Sequence, residues 1–245
     1  LASAIGMVVL FRRLPGEKAS ASALPQDFSA NTPRLLVLPV TGVLLIAAAG
    51  LADLYEGFGL GNLIGQFLAA AGPDHIAVST AVTSALGLSP TAQKLLGVLS
   101  LGSAAALFPT ISACRRGGAF QGASLLLIPP VALVIRLVAA YRLDSVNPAL
   151  SAYYVELLAL VFLTLGFYRL SSFAFHAGQL RLYAFYTGAA VVLSMAALAD
   201  GGPYLSSLLL YAGGASVLMG FLLLRLASPV PSTRQEEPPN LTSQS

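Results

Sequence analysis

The chain has 245 residues, of which 56% are hydrophobic and only 9% charged, with a formal net charge of +3 and a mean hydropathy of +0.80. A surface with so few charges is poorly solvated by water, so the composition points to a chain surrounded by lipid. The 13 basic residues sit mostly at the ends of apolar runs, which argues against a nucleic-acid patch. The single cysteine, Cys114, excludes an intrachain disulfide, a thiolate zinc site and a paired redox motif.

Residues 1–11 are apolar, but as a helix they cover only about 16 Å against roughly 30 Å of hydrocarbon, so they read as the end of a truncated span. Arg12 and Arg13 follow this run instead of preceding it, the reverse of a signal peptide. Residues 12–34, with Pro15, Gly16, Pro25 and many Ala and Ser, have too little apolar content to offset ordering and read as a flexible cytoplasmic linker. The first complete crossing is expected over residues 35–54, with Asp53, Tyr55 and Glu56 marking its exit into water. Residues 57–89 contain two moderately apolar stretches broken at Pro73 and Asp74, each too short to cross; they suggest helices lying in the outer interface or a re-entrant hairpin.

Ser89 followed by Pro90 is an N-cap with proline at the first helical position, opening a second span that extends to about residue 113. A third span is expected over residues 123–141, where Pro129 and Pro130 remove two backbone donors mid-membrane and force a kink. The remaining spans fall at about residues 150–170, 182–198 and 204–226, with a tight turn at Asp200, Gly201, Gly202 and Pro203 between the last two. Residues 227–245, rich in Pro and small polar residues, read as a disordered tail. The fold class is therefore all-α, a polytopic transmembrane helical bundle over residues 35–226 with six complete spans plus a truncated N-terminal one.

Ten of the 13 basic residues fall on one side of this topology and only Lys94 and Arg142 on the other, with Arg136 inside span three. The basic side is expected to be cytoplasmic, which puts the C-terminus there, in a prokaryotic cytoplasmic membrane. Tyr55, Tyr141, Tyr153, Tyr154 and Tyr204 then gather at the outer boundary and Tyr168, Tyr183 and Tyr186 at the inner one, as two aromatic belts.

The chemistry on offer is sparse. Arg136 and Glu156 are the charged residues well inside spans, at equal depth on consecutive antiparallel helices, which suggests that they pair. Such a pair serves as a gate, an anion site or a proton relay, or else as a structural tie. Small residues recur at Ala212, Ser216 and Gly220 in span six, at Ala190, Ser194 and Ala197 in span five, and at Ala48 and Ala52 in span one; these faces are expected to pack on one another or on a second subunit. His75 and His176 read as loop residues, and neither the serine nor the metal constellation of an intramembrane protease is present. No Walker-type phosphate loop occurs.

The sequence thus predicts a non-enzymatic transport or membrane-complex component with no metal or other cofactor, in contact with the lipid bilayer and with a membrane-protein partner or further copies of itself. A sensor or scaffold using residues 57–89 is the alternative, and an intramembrane enzyme a more distant one.

Overall fold

A computed structural model of the protein describes residues 28, 33–60, 90–116, 123–144, 150–175, 177–200 and 205–227. Six α-helices account for nearly all of them: α1 (Val37–Gly57), α2 (Pro90–Arg116), α3 (Ile128–Asp144), α4 (Leu150–Ala174), α5 (Leu180–Ala199) and α6 (Leu205–Ala227). All six crossings fall where the sequence places them, and each is long and apolar enough to span a bilayer. The protein is a polytopic membrane protein built as an all-α bundle. Residues 1–11 and 61–89, the tail from 228, and both histidines lie outside the described residues, as does the linker except for Phe28, Pro33 and Arg34.

The helices form a ring in chain order. α1 packs on α2, α2 on α3, α3 on α4, α4 on α5 and α5 on α6, and α6 closes the ring against α1. α4 and α6 also touch across it. Short 3₁₀ segments, Pro33–Leu36 and Ala123–Leu127, lead into α1 and α3. Pro129 and Pro130 fall in the first turn of α3, directly after the second of these. Their missing N–H groups coincide with donors that a helix start leaves unpaired in any case. The expected mid-membrane kink is thus replaced by a change of winding near one end of the span.

Close backbone approach holds α1 to both its neighbours. A Cβ on Gly42 would lie 2.7 Å from the Gly213 carbonyl oxygen of α6, and one on Gly213 would lie 2.8 Å from that of Gly42. On the other side of α1, Gly50 and Gly97 of α2 meet in the same reciprocal way, each 2.9 Å from the other's oxygen. Lipid and side chain are equally apolar, so dispersion at such contacts, rather than water exclusion, draws the helices together. The small stripe expected on α6 is engaged only in part: Gly220 abuts Pro39 of α1, whereas Ala212 and Ser216 are half-buried beside it. On α5, Ala190, Ser194 and Ala197 are all buried, and α5 packs between α4 and α6. Ala48 and Ala52 are half-buried; the interior residues of α1 are their neighbours Ala49, Gly50 and Asp53.

The lipid-facing side is as regular. Val37, Leu44, Leu51 and Phe58 recur every seven residues on α1 and are each about 60% exposed, a ridge suited to hydrocarbon. At the bundle end that holds the last turns of α4, Phe28 is fully buried and packs edge-on against Phe173 (5.4 Å between centroids) and Phe221 (5.9 Å). Tyr183 joins this cluster and donates to the Leu218 carbonyl at 3.0 Å, so it is a core residue and not part of an aromatic belt. Tyr141, Tyr154 and Tyr168 are exposed, as belt residues are.

The glycine contacts make a direct prediction. Gly42→Ala or Gly213→Ala should destabilise the detergent-solubilised protein by about 1–3 kcal/mol through overpacking, whereas Gly102→Ala, whose Cβ would meet only Ile128 at 3.8 Å, should be tolerated. Thermal unfolding of the three variants by size-exclusion recovery checks the ranking.

Candidate functional site

The interior of the bundle is assembled from one stripe on each helix. On α1 the buried residues are Pro39, Gly42, Val43, Ile46, Ala49, Gly50, Asp53 and Gly57, a spacing of three and four that keeps one face turned inward. Asp53 is therefore an interior residue by helical phase, and only 1% of it is exposed. On α3 the lipid face is set by Val131, Val134, Val138 and Tyr141, while Ala132, Leu133 and Arg136 are buried on the other side. α6 begins at Leu205, which is exposed, followed by Ser206, which is fully buried.

These elements meet at Arg136. Its Nη1 donates to Asp53 Oδ2 at 2.6 Å, and its Nη2 lies 3.2 Å from Ser206 Oγ and 3.4 Å from Ser207 Oγ. α3 packs along α2 and α4, so the long arginine side chain reaches across the interior to helices on the far side of the ring. A guanidinium buried in an apolar bundle is costly unless a counter-charge and further hydrogen-bond acceptors surround it. Asp53 supplies the charge and the two serines supply acceptors. Asp53 lies four residues from the end of α1, about 6 Å of helix, so this clasp closes one end of the bundle.

A small cavity lies directly beneath. It is about 20 Å³, room for about one water molecule, and Arg136, Ser100, Ser103, Pro129 and Phe167 contribute to its wall. The serines come from α2, whose inward stripe repeats in sevens: Gln93, Leu96, Ser100, Ser103, Leu107, Thr110 and Cys114 are all buried. Five of those seven side chains carry a polar atom or a thiol. Ser103 and Thr110 donate to the carbonyls of Leu99 and Ala106 on their own helix, which leaves their oxygens free to accept from the interior. Two atoms near the clasp, Glu56 Oε2 and Gln93 Nε2, are buried without a hydrogen-bond partner among the described residues. Lys94 of α2 sits at the same end with its ammonium 4.5 Å from the centre of the Phe58 ring.

Set against the sequence reading, the arginine is where it was expected, but its ion pair is with another carboxylate. Asp53, read as the point where span one leaves the membrane, is the residue that Arg136 grips. Equal depth on adjacent helices made Glu156 the expected partner; α3 and α4 are indeed neighbours, and Glu156 is half-buried near the start of α4 with interactions of its own. The signal that finds Asp53 is phase: it continues the small and apolar stripe of α1 one step further. Ser206, Ser207 and the α2 stripe carry no comparable sequence signal, because hydroxyls are common in such helices. Pro129 lines the cavity; Pro130 is buried beside it. Among the described residues no group of three His, Cys, Asp or Glu side chains gathers to hold a metal ion.

Comparison of the chain with protein-family models, with curated proteins and with solved structures gives no match.

Removing one partner of a buried ion pair strands the other. Asp53→Leu or Arg136→Leu alone should destabilise the bundle by about 3–5 kcal/mol, and the double variant by clearly less than the sum. A double-mutant cycle on detergent-extracted protein measures this coupling, and additive losses would contradict the contact.

Proposed function

We propose that this chain is a non-enzymatic transport component of a membrane, with the Asp53–Arg136 clasp as the closed gate at one end of the helix ring. The observation that carries the reading is that the clasp joins α3 to α1 and α6 over a small cavity, to whose mostly apolar wall Ser100 and Ser103 of α2 contribute. The reading also draws on the buried face of α2, where Gln93, Ser100, Ser103 and Thr110 form a polar stripe. The stripe supports a path for water or a small polar solute, and the unpartnered polar atoms of Glu56 and Gln93 support an entrance beside the clasp.

The packing offers a way for such a gate to move. α1 is fastened to α2 and α6 by backbone contacts at glycines, whereas at Gly102, facing α3 across the α2 boundary, a Cβ would make only an ordinary contact with Ile128. Rocking of α3 against the α1–α2–α6 group would separate Arg136 from Asp53 without parting those glycine contacts. The excess of Lys and Arg on the side opposite the clasp supports a cytoplasmic C-terminus, with the gate facing outward from a prokaryotic cytoplasmic membrane.

Purified protein in lipid vesicles tests the reading by stopped-flow light scattering with glycerol, glycine and potassium nitrate as osmolytes. At least one of these should equilibrate faster than in protein-free vesicles, and Arg136→Gln should change that rate by about tenfold or more. Equal rates with and without protein for all three would remove the transport reading. For orientation, an impermeant thiol reagent on intact cells should label Asp200→Cys and spare Ser232→Cys; the reverse pattern would invert the topology.

A further inference from the structure

The charge balance of the clasp restricts what the proposed transporter can carry, and this step rests on the transport reading above. Arg136 is 6% exposed and Asp53 1% exposed, so in the closed state the interior holds one positive and one negative charge in direct contact. Opening the gate separates them. A lone guanidinium and a lone carboxylate, each in a low-dielectric interior, would cost several kcal/mol apiece, so an open state needs a replacement for each half of the pair. The replacement for the carboxylate beside Arg136 is an anion. For Asp53, left without its arginine, the replacement is a proton.

We infer that Arg136 is the binding site of a small monovalent anion carried together with one proton, the anion taking the place of the Asp53 carboxylate while the proton neutralises Asp53. The exchange balances: an ion pair plus a proton and an anion becomes an arginine–anion pair and a neutral carboxylic acid, and the interior is uncharged before and after. The geometry suits it. Nη1 faces Asp53, while Nη2 makes two longer contacts to Ser206 and Ser207, and Ser100 brings a hydroxyl that can donate to an anion to the otherwise mostly apolar wall of the cavity beneath Arg136.

The other ionisable groups around Asp53 fit this scheme. On α1, Glu56 lies one turn away, within electrostatic reach of both Asp53 and Arg136, and its Oε2 has no hydrogen-bond partner among the described residues. On α2, Lys94 is engaged over the Phe58 ring, and the stripe below it carries the neutral Gln93, Ser100 and Ser103. From α6 the groups at the arginine are the two serine hydroxyls. Glu156 on α4 has interactions of its own. Asp53 is therefore the carboxylate whose protonation frees the arginine.

The test uses vesicles containing the full chain and a trapped pH dye, with membrane voltage clamped at zero by valinomycin and equal potassium. Nitrate and chloride are the probes, because as anions of strong acids they do not carry protons across lipid unaided. Adding nitrate outside should acidify the lumen in wild type, and Asp53→Asn should abolish this acidification while retaining nitrate-for-chloride exchange, since its arginine then always needs an anion. Nitrate should also raise the thermal stability of Asp53→Asn more than that of wild type, a readout that does not depend on reconstitution. Should Asp53→Asn fail to fold, the wild-type arm decides alone. Nitrate entry with unchanged lumen pH overturns the coupling, and glycerol or glycine entry without nitrate entry overturns the anion site while leaving transport standing. No movement of any solute overturns both.

Discussion

An arginine inside a hydrocarbon-solvated bundle dictates much of what surrounds it. Arg136 is fixed on α3, whose exposed valines turn the opposite face to lipid, so its charge has to be met from within. It is met by Asp53 from α1 and by hydroxyls from α6. The ring of helices is thereby tied across its middle by a side chain, between segments 83 residues apart in sequence. Burial of the pair adds little net stability, because desolvation offsets most of the attraction. Its effect is specificity: other arrangements of α1, α3 and α6 leave a charge stranded.

Two kinds of contact divide the work of assembly. On one side of the ring, α6, α1 and α2 meet backbone to backbone at Gly42 and Gly213 and at Gly50 and Gly97, a dispersion-dominated seam that admits no added methyl group. On the other, α3, α4 and α5 meet through larger side chains, with the edge-on cluster of Phe28, Phe173, Tyr183 and Phe221 closing the end remote from the clasp. Phe28 lies in a stretch whose composition suggests a free linker, yet its own ring is fully buried in this cluster. The polar clasp and the aromatic cluster thus occupy opposite ends of the bundle.

The crossings were legible because an unbroken run of about 20 apolar residues has few alternatives to a membrane helix, and the structure moves their ends by only a few residues. The partner of Arg136 was not legible from depth alone. Depth along the membrane normal takes no account of rotation about the helix axis, and Asp53, the first charge after an apolar run, looked like a boundary. Rotation was nevertheless encoded: Pro39, Gly42, Ile46, Ala49 and Gly50 set a stripe that Asp53 continues. The prolines of α3 show the converse limit. Pro129 and Pro130 signal that a regular helix is interrupted, but where the span begins as a 3₁₀ turn they can start an α-helix instead of bending one. The α2 stripe is not legible in the sequence because Ser and Thr satisfy themselves on their own helix and so occur at lipid and interior faces alike.

The contact between Asp53 and Arg136 is open to direct measurement in a bilayer. Solid-state NMR on protein in lipid vesicles, with ¹⁵N in the arginine guanidinium and ¹³C in the side-chain carboxylates, should show dipolar transfer from Arg136 to the Asp53 carboxyl carbon, and that transfer should vanish in Asp53→Asn. Transfer to Glu156 in place of Asp53, or to water alone, would contradict the account at its centre.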